Sequence, residues 1–101
     1  MSKKIEYTDS QVKLARYAKA LGHPARVLIL EYLSKNNQSC CYSGDMVEIL
    51  PIARSTLSQH LKELKNAGLI QGEINPPHIK YCINRTNWAE AKELMGEMFE
   101  W

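Results

Sequence analysis

No run of apolar residues in this chain is longer than Val27–Leu30, which is far too short to cross a bilayer. Met1-Ser2-Lys3-Lys4 leads into polar sequence without the apolar core of a secretory leader. A cytoplasmic protein with no membrane partner is therefore expected. Cysteine is scarce and odd in number, three in 101 residues, and a reducing compartment disfavours structural disulfides. Glycine is sparse, and none of it forms a phosphate-cradling loop. No Ser-His-Asp, Cys-His or paired-carboxylate arrangement is present either. Ser55 and His60 lie on one expected helix but on different faces, so they make no nucleophile and base pair. An enzyme is not expected. Neither sign of charge dominates, with a net +2 and a pI near 8.5, so the placement of charge matters more than its total.

What is present is the composition of a single small globular domain over 1–101, with 45% hydrophobic and 24% charged residues. Thr8 or Asp9 is suited to cap a first helix running to about Leu21, with Leu14, Tyr17, Ala18 and Leu21 on one face. Gly22-His23 breaks it, with His23 a hydrogen-bonded structural residue of the turn. Pro24 then fits the first turn of a second helix, Ala25–Ser34, whose Val27, Leu28, Ile29, Leu30 and Leu33 are expected to be mostly buried. Ser43 is positioned to cap a short third helix, Asp45–Leu50, and Pro51 forces a turn. A fourth helix, about 53–67, carries Leu57, Leu61 and Leu64 inward and ends at Gly68, placed as the left-handed residue beyond it. Residues 69–83 turn at Pro76-Pro77-His78 and alternate as a hairpin. Asn87, with Glu90 three residues on, opens a last helix over 87–101. The expected fold is mainly α with a small β-hairpin, α-α-α-α-β-β-α.

A short helix, a tight turn and a longer helix over Asp45–Leu64 form a helix-turn-helix pattern, in which the second helix enters the DNA major groove. With the leucines inward, Arg54, Ser55, Ser58, Gln59 and Lys62 face out, and Thr56 and His60 lie on the flanks to touch phosphate or pack. Arginine and glutamine read base edges by paired hydrogen bonds, while hydroxyls suit phosphates or bases. Pro51–Asn66 carries a net +2 and Arg85–Trp101 a net −2, which puts positive potential on the reading side. The hairpin serves as a wing, bringing His78 and Lys80 within reach of phosphate or the minor groove. Two plainer readings stand beside this one. The fourth helix has the pattern of any amphipathic surface helix, and the domain could be a protein-interaction module. The second would favour acids or apolar residues on the outward face, which the sequence does not show.

Leu21-Gly22-His23-Pro24-Ala25-Arg26 before Val27–Leu30, and Ser55-Thr56-Leu57-Ser58-Gln59-His60-Leu61-Lys62-Glu63-Leu64 running into Gly68-Leu69-Ile70, resemble the ArsR/SmtB-type winged-helix repressors over nearly the whole chain. Ala53 departs from the pattern, since a hydroxyl cap is common there. The resemblance implies binding to double-stranded operator DNA and a homodimer built from the first helix (9–21) and the last, with release by a metal ion, metalloid or other signal. Trp88, Ala91, Leu94, Met95, Met98 and Phe99 form an apolar stripe too broad for one small domain to cover. With Leu14 and Tyr17 they are the expected dimer interface. Members of the family that sense metals through a His/Asp/Glu set on the last helices find no counterpart here, because Arg85–Trp101 has no histidine. Cys41 fits the first position of the family's thiol segment, but Ser43 occupies the second. If the stretch before the third helix pairs as a strand with the second wing strand, Cys40 or Cys41 approaches Cys82. Three thiolates would then hold a thiophilic inducer such as trivalent arsenic or copper(I), or undergo reversible oxidation. The alternative is that all three cysteines are small apolar fillers with no cofactor at all.

Overall fold

A computed structural model describes residues 4–101; Met1–Lys3, on which the expectation about a leader partly rests, lie outside the described residues. Among the described residues, five α-helices, a short 3-10 turn (Asn37–Ser39) and one three-stranded sheet are present, the helices and strands in the order α1 (Asp9–Ala20), α2 (Pro24–Lys35), β1 (Cys40–Tyr42), α3 (Ser43–Ile49), α4 (Arg54–Asn66), β2 (Ile70–Asn75), β3 (His78–Ile83) and α5 (Arg85–Met98). The sheet is antiparallel in the order β1-β3-β2, with the β2–β3 hairpin as the wing. This is the winged helix-turn-helix expected from the sequence.

Local signals account for most of the boundaries. Thr8 and Gln11 form a reciprocal capping box at α1, satisfying two backbone N–H groups that the helix itself cannot pair. His23 caps α2 by accepting from Ala25 N–H at 3.0 Å, and Pro24 begins the helix. Gly68 adopts φ +86° just beyond α4, where a Cβ would lie 2.7 Å from the Asn87 side chain. That side chain donates to the Gly68 carbonyl at 2.9 Å. Its use there explains a shift at the last helix. Asn84 is the cap, accepting from Asn87 N–H, and α5 begins at Arg85 rather than Asn87. Likewise α3 begins at Ser43 with Tyr42 at the cap position and no side-chain cap bond.

Ile29, Leu33, Met46, Leu57, Leu61, Leu64, Leu69 and Ile70 are the largest fully buried side chains, joining α2, α3, α4 and the base of the wing. Val27 and Leu28 depart from the expectation of burial and remain exposed, because only one side of α2 faces this core. The molecule is elongated, 59 × 24 × 24 Å with a radius of gyration of 15.7 Å. A compact chain of this length would have a radius of gyration of about 13 Å. The end helices, α1 and α5, pack on each other.

Candidate nucleic-acid interface and thiol pair

The outward face of α4 is as the leucine spacing implies. Leu57, Leu61 and Leu64 are buried, while Arg54, Ser55, Thr56, Ser58, Gln59 and Lys62 are exposed. Ala53 provides no side-chain cap, so the first N–H groups of the helix are left without a side-chain acceptor. On the wing, His78 is exposed and stacks edge-on against Tyr42 at 5.7 Å, and Lys80 is half-buried.

His60 is the exception among the flanking residues. It is 7% exposed, and its Nδ1 accepts from Arg26 Nε–H at 3.1 Å. Its ring lies 4.4 Å from that of His23. Position 60 falls three residues after Leu57 and four before Leu64, which turns it toward α2, so it packs rather than standing out with Gln59. Burial, then the neighbouring His23 and Arg26, hold this imidazole below the ordinary histidine value of 6.5. The unfolded chain therefore takes up this proton at a higher pH than the folded one. Stability is complete above about pH 7 and falls as the pH drops through the unfolded value. Denaturant midpoints measured from about pH 8 to pH 5 should decline over that range, and the His60-dependent part of the decline should vanish in His60→Asn.

The three cysteines do not converge. Strand register sets Cys40 directly opposite Cys82 with their Cα atoms 4.0 Å apart, and the two form a disulfide. Cys41, the next residue along β1, points to the other face of the sheet, as strand alternation requires. It is buried, with its Sγ 3.9 Å from the Tyr32 hydroxyl. Burial pushes the Cys41 thiol up, disfavouring the thiolate that binds metal. Among the described residues no group of three His, Cys, Asp or Glu side chains is arranged to hold a metal. The three-thiolate site is replaced by a pair and a separate buried thiol. The expectation of no disulfide is corrected too, because non-local pairing of β1 with β3 makes the Cys40–Cys82 geometry available whatever the cysteine count.

At the opposite edge, α1 and α5 leave an apolar groove of about 400 Å³ lined by Leu14, Ala18, Leu21, Met95, Met98 and Phe99. A neighbouring hollow of about 290 Å³ is bounded by Leu21, Leu69, Trp88, Ala91 and Met95. Phe99 is 77% exposed, and Leu94, Met95 and Met98 are half-buried. Two expected interface residues are already covered within the chain, which leaves a narrower surface than the sequence suggested. Ala91 is buried, and so is Tyr17, whose hydroxyl donates to Glu90 at 2.6 Å. Burial, with the Glu90 hydrogen bond second, pushes the Tyr17 hydroxyl up to about 12. That bond and Lys13, 3.2 Å from the same carboxylate, hold Glu90 below its ordinary value.

A family model described as bacterial regulatory protein, arsR family, matches residues 23–71, which span α2 through the start of β2. The transcriptional regulator CmtR of Mycobacterium tuberculosis is 31% identical over 87 residues, covering 86% of this chain and 69% of that protein. YgaV of Escherichia coli is 31% identical over 83 residues, 82% of each chain. The chain belongs to the ArsR family of transcriptional regulators. A regulator from Methanocaldococcus jannaschii is 36% identical over 85% of this chain and 94% of its own length. Among solved structures, an ArsR-like transcriptional regulator from Rhodococcus sp. RHA1 superposes with TM-score 0.73 at 23% identity, over 92% of this chain and 88% of that one. A homodimeric winged helix-turn-helix DNA-binding domain from Mycobacterium bovis gives 0.72 at 21% identity, over 99% and 91%. These two show the fold. The curated ArsR-family relatives are transcriptional regulators rather than enzymes, and this chain carries the same DNA-binding winged helix-turn-helix. No helix among the described residues is long and apolar enough to cross a membrane.

Proposed function

We propose that this ArsR-family protein is a homodimeric repressor that holds operator DNA with α4 and the wing and releases it on oxidation of Cys40 and Cys82. A two-electron oxidant, such as a peroxide reduced to water or alcohol or a small disulfide reduced to its thiols, takes two electrons and two protons from the two thiols and leaves them joined as a disulfide. The observation that carries the reading is the position of that bond. It ties β1, which leads directly into α3, to β3, the inner strand of the wing, and so joins both parts of the DNA-facing unit. In the reduced form the wing is free to adjust to the groove; the cross-link removes that freedom. A thiophilic ion such as trivalent arsenic, bridging the reduced pair, would act at the same two sulfurs.

Support for the dimer comes from the apolar groove between α1 and α5 and from the exposed Phe99 at its edge. A two-fold contact there would present two copies of α4 to a palindromic site about 34 Å apart. Arg54, Ser55, Ser58, Gln59 and Lys62 supply base and phosphate contacts, and His78 and Lys80 reach phosphate from the wing.

The test is fluorescence-anisotropy titration onto the promoter fragment of the protein's own gene, with the chain reduced, oxidised, or reduced and loaded with trivalent arsenic. Arg54→Ala and Gln59→Ala should each weaken binding by roughly 10-fold or more while leaving the dimer intact. Unchanged affinity in both variants would remove α4 as the reading helix. Equal affinity of the reduced and oxidised chains would remove the thiol switch.

A further inference from the structure

Between the first half of α4 and the start of α2 lies a concavity of about 340 Å³ lined by His23, Ser55, Thr56, Gln59 and His60. It lies beside the exposed face of α4, and each side chain that lines it carries a group able to donate a hydrogen bond.

The two histidines are set for donation by their other contacts. His60 Nδ1 accepts from Arg26 Nε–H, and arginine has no acceptor to offer in return. The neutral ring therefore carries its proton on Nε2. His23 Nδ1 accepts from Ala25 N–H, which places its proton on Nε2 as well. His60 is more than nine-tenths buried, yet its Nε2 has no hydrogen-bond partner among the described residues. No fully buried side-chain nitrogen or oxygen among the described residues lacks a partner, so this unpaired nitrogen is accessible, on a ring that lines the concavity. Arg26 is itself anchored, donating to the Lys19 and Ala20 carbonyls at 3.3 and 3.5 Å, so the His60 ring is held from behind. The uncapped first turn of α4, with the free N–H groups of Ser55 and Thr56, adds donors and the positive end of the helix dipole.

We infer that His23 and His60, with the Ser55 and Thr56 groups at the start of α4, form a seat for one backbone phosphate of the bound DNA, using neutral imidazole N–H donors. The ligand class is a phosphodiester monoanion. A protonated His60 would face the Arg26 guanidinium and lose its hydrogen bond, so the seat works with the uncharged ring. His23 thus acquires a second role beyond capping α2. The inference rests on the reading of α4 as the DNA-binding helix.

The substitutions His23→Asn and His60→Asn separate these roles. Asparagine offers an oxygen near the position of Nδ1, which preserves the α2 cap and the acceptor for Arg26, but has nothing at Nε2. Each variant should melt close to wild type and bind operator about 5- to 10-fold more weakly. The slope of log K against log[salt] should be unchanged, because no charge is removed. A single methylphosphonate at the seated phosphate should weaken wild-type binding and have little further effect on either variant. Wild-type affinity in both variants would overturn the seat while leaving α4 in place. A slope reduced by about 1 per histidine would show charged rings and overturn the neutral-donor mechanism. Failure of the wild-type chain to bind any duplex would remove the underlying reading as well.

Discussion

A Met98→Asp, Phe99→Asp double variant is expected to sediment as a monomer and to lose about 100-fold or more in operator affinity. Phe99 is 77% exposed and Met98 half-buried, at the mouth of the α1–α5 groove. Neither belongs to the buried core around Leu33, Leu61 and Leu64, so the single chain should keep its fold. Carboxylates placed in an interface that must desolvate them oppose association strongly. The loss in DNA binding follows from valency rather than from any lost contact. When two copies of α4 are joined, the second half-site binds intramolecularly, at an effective concentration that multiplies affinity by roughly 10² to 10⁴. Sedimentation velocity and anisotropy titration check the two parts separately. A dimer that persists would place the interface elsewhere, and a monomer that binds the full operator with undiminished affinity would end the two-half-site picture.

The second large effect concerns the thiol pair. Cys40 and Cys82 are separated by 42 positions, and cross-linking a loop of that size restricts the unfolded chain by ~4 kcal/mol on the loop-entropy scale. Reduction, or Cys82→Ser, should lower the melting temperature by roughly 15 °C or more, since about 4–8 °C accompanies each kcal/mol in a domain of this size. Cys41→Ser should leave that redox difference intact, because Cys41 is buried on the other face beside Tyr32 and takes no part in the bond. Calorimetry with and without reductant checks this. The DNA-binding counterpart is that the reduced chain and Cys82→Ser hold operator at least 10-fold more tightly than the oxidised chain. Tighter binding by the oxidised chain would reverse the sense of the switch and refute release by oxidation.

Both effects depend on placements that differ in how far a linear reading could see them. The helix-turn-helix, the left-handed Gly68, the Pro24 start of α2 and the hairpin around Pro76-Pro77 rest on local rules. Capping, fixed φ and the periods of helix and strand act within a few residues, so the chain's own order displays them. The outward set on α4 was legible for the same reason, since three leucines at helical spacing define the opposite face.

His60 was not legible in that way. Periodicity leaves it on the flank of α4, and whether a flank residue faces water or a neighbour depends on how α2 crosses, which brings Arg26 and His23 to it. Asn87 has the spacing of a cap, yet the approach of Gly68 across 19 positions takes its side chain and leaves capping to Asn84. Tyr17 and Ala91 belong to apolar stripes that a partner could bury, but the packing of α1 on α5 covers them first. The cysteines make the sharpest contrast. Adjacency at Cys40-Cys41 suggests joint action, whereas the pleat sends the two side chains to opposite faces and β1–β3 register chooses Cys40 for Cys82. The sequence by itself determined the helices, the hairpin and the outward face of α4, because those follow from short-range sterics and hydrogen bonding. Only the tertiary structure decided which sulfurs pair and which imidazole meets which guanidinium, because those contacts join residues 42 and 34 positions apart, whose meeting is set by packing.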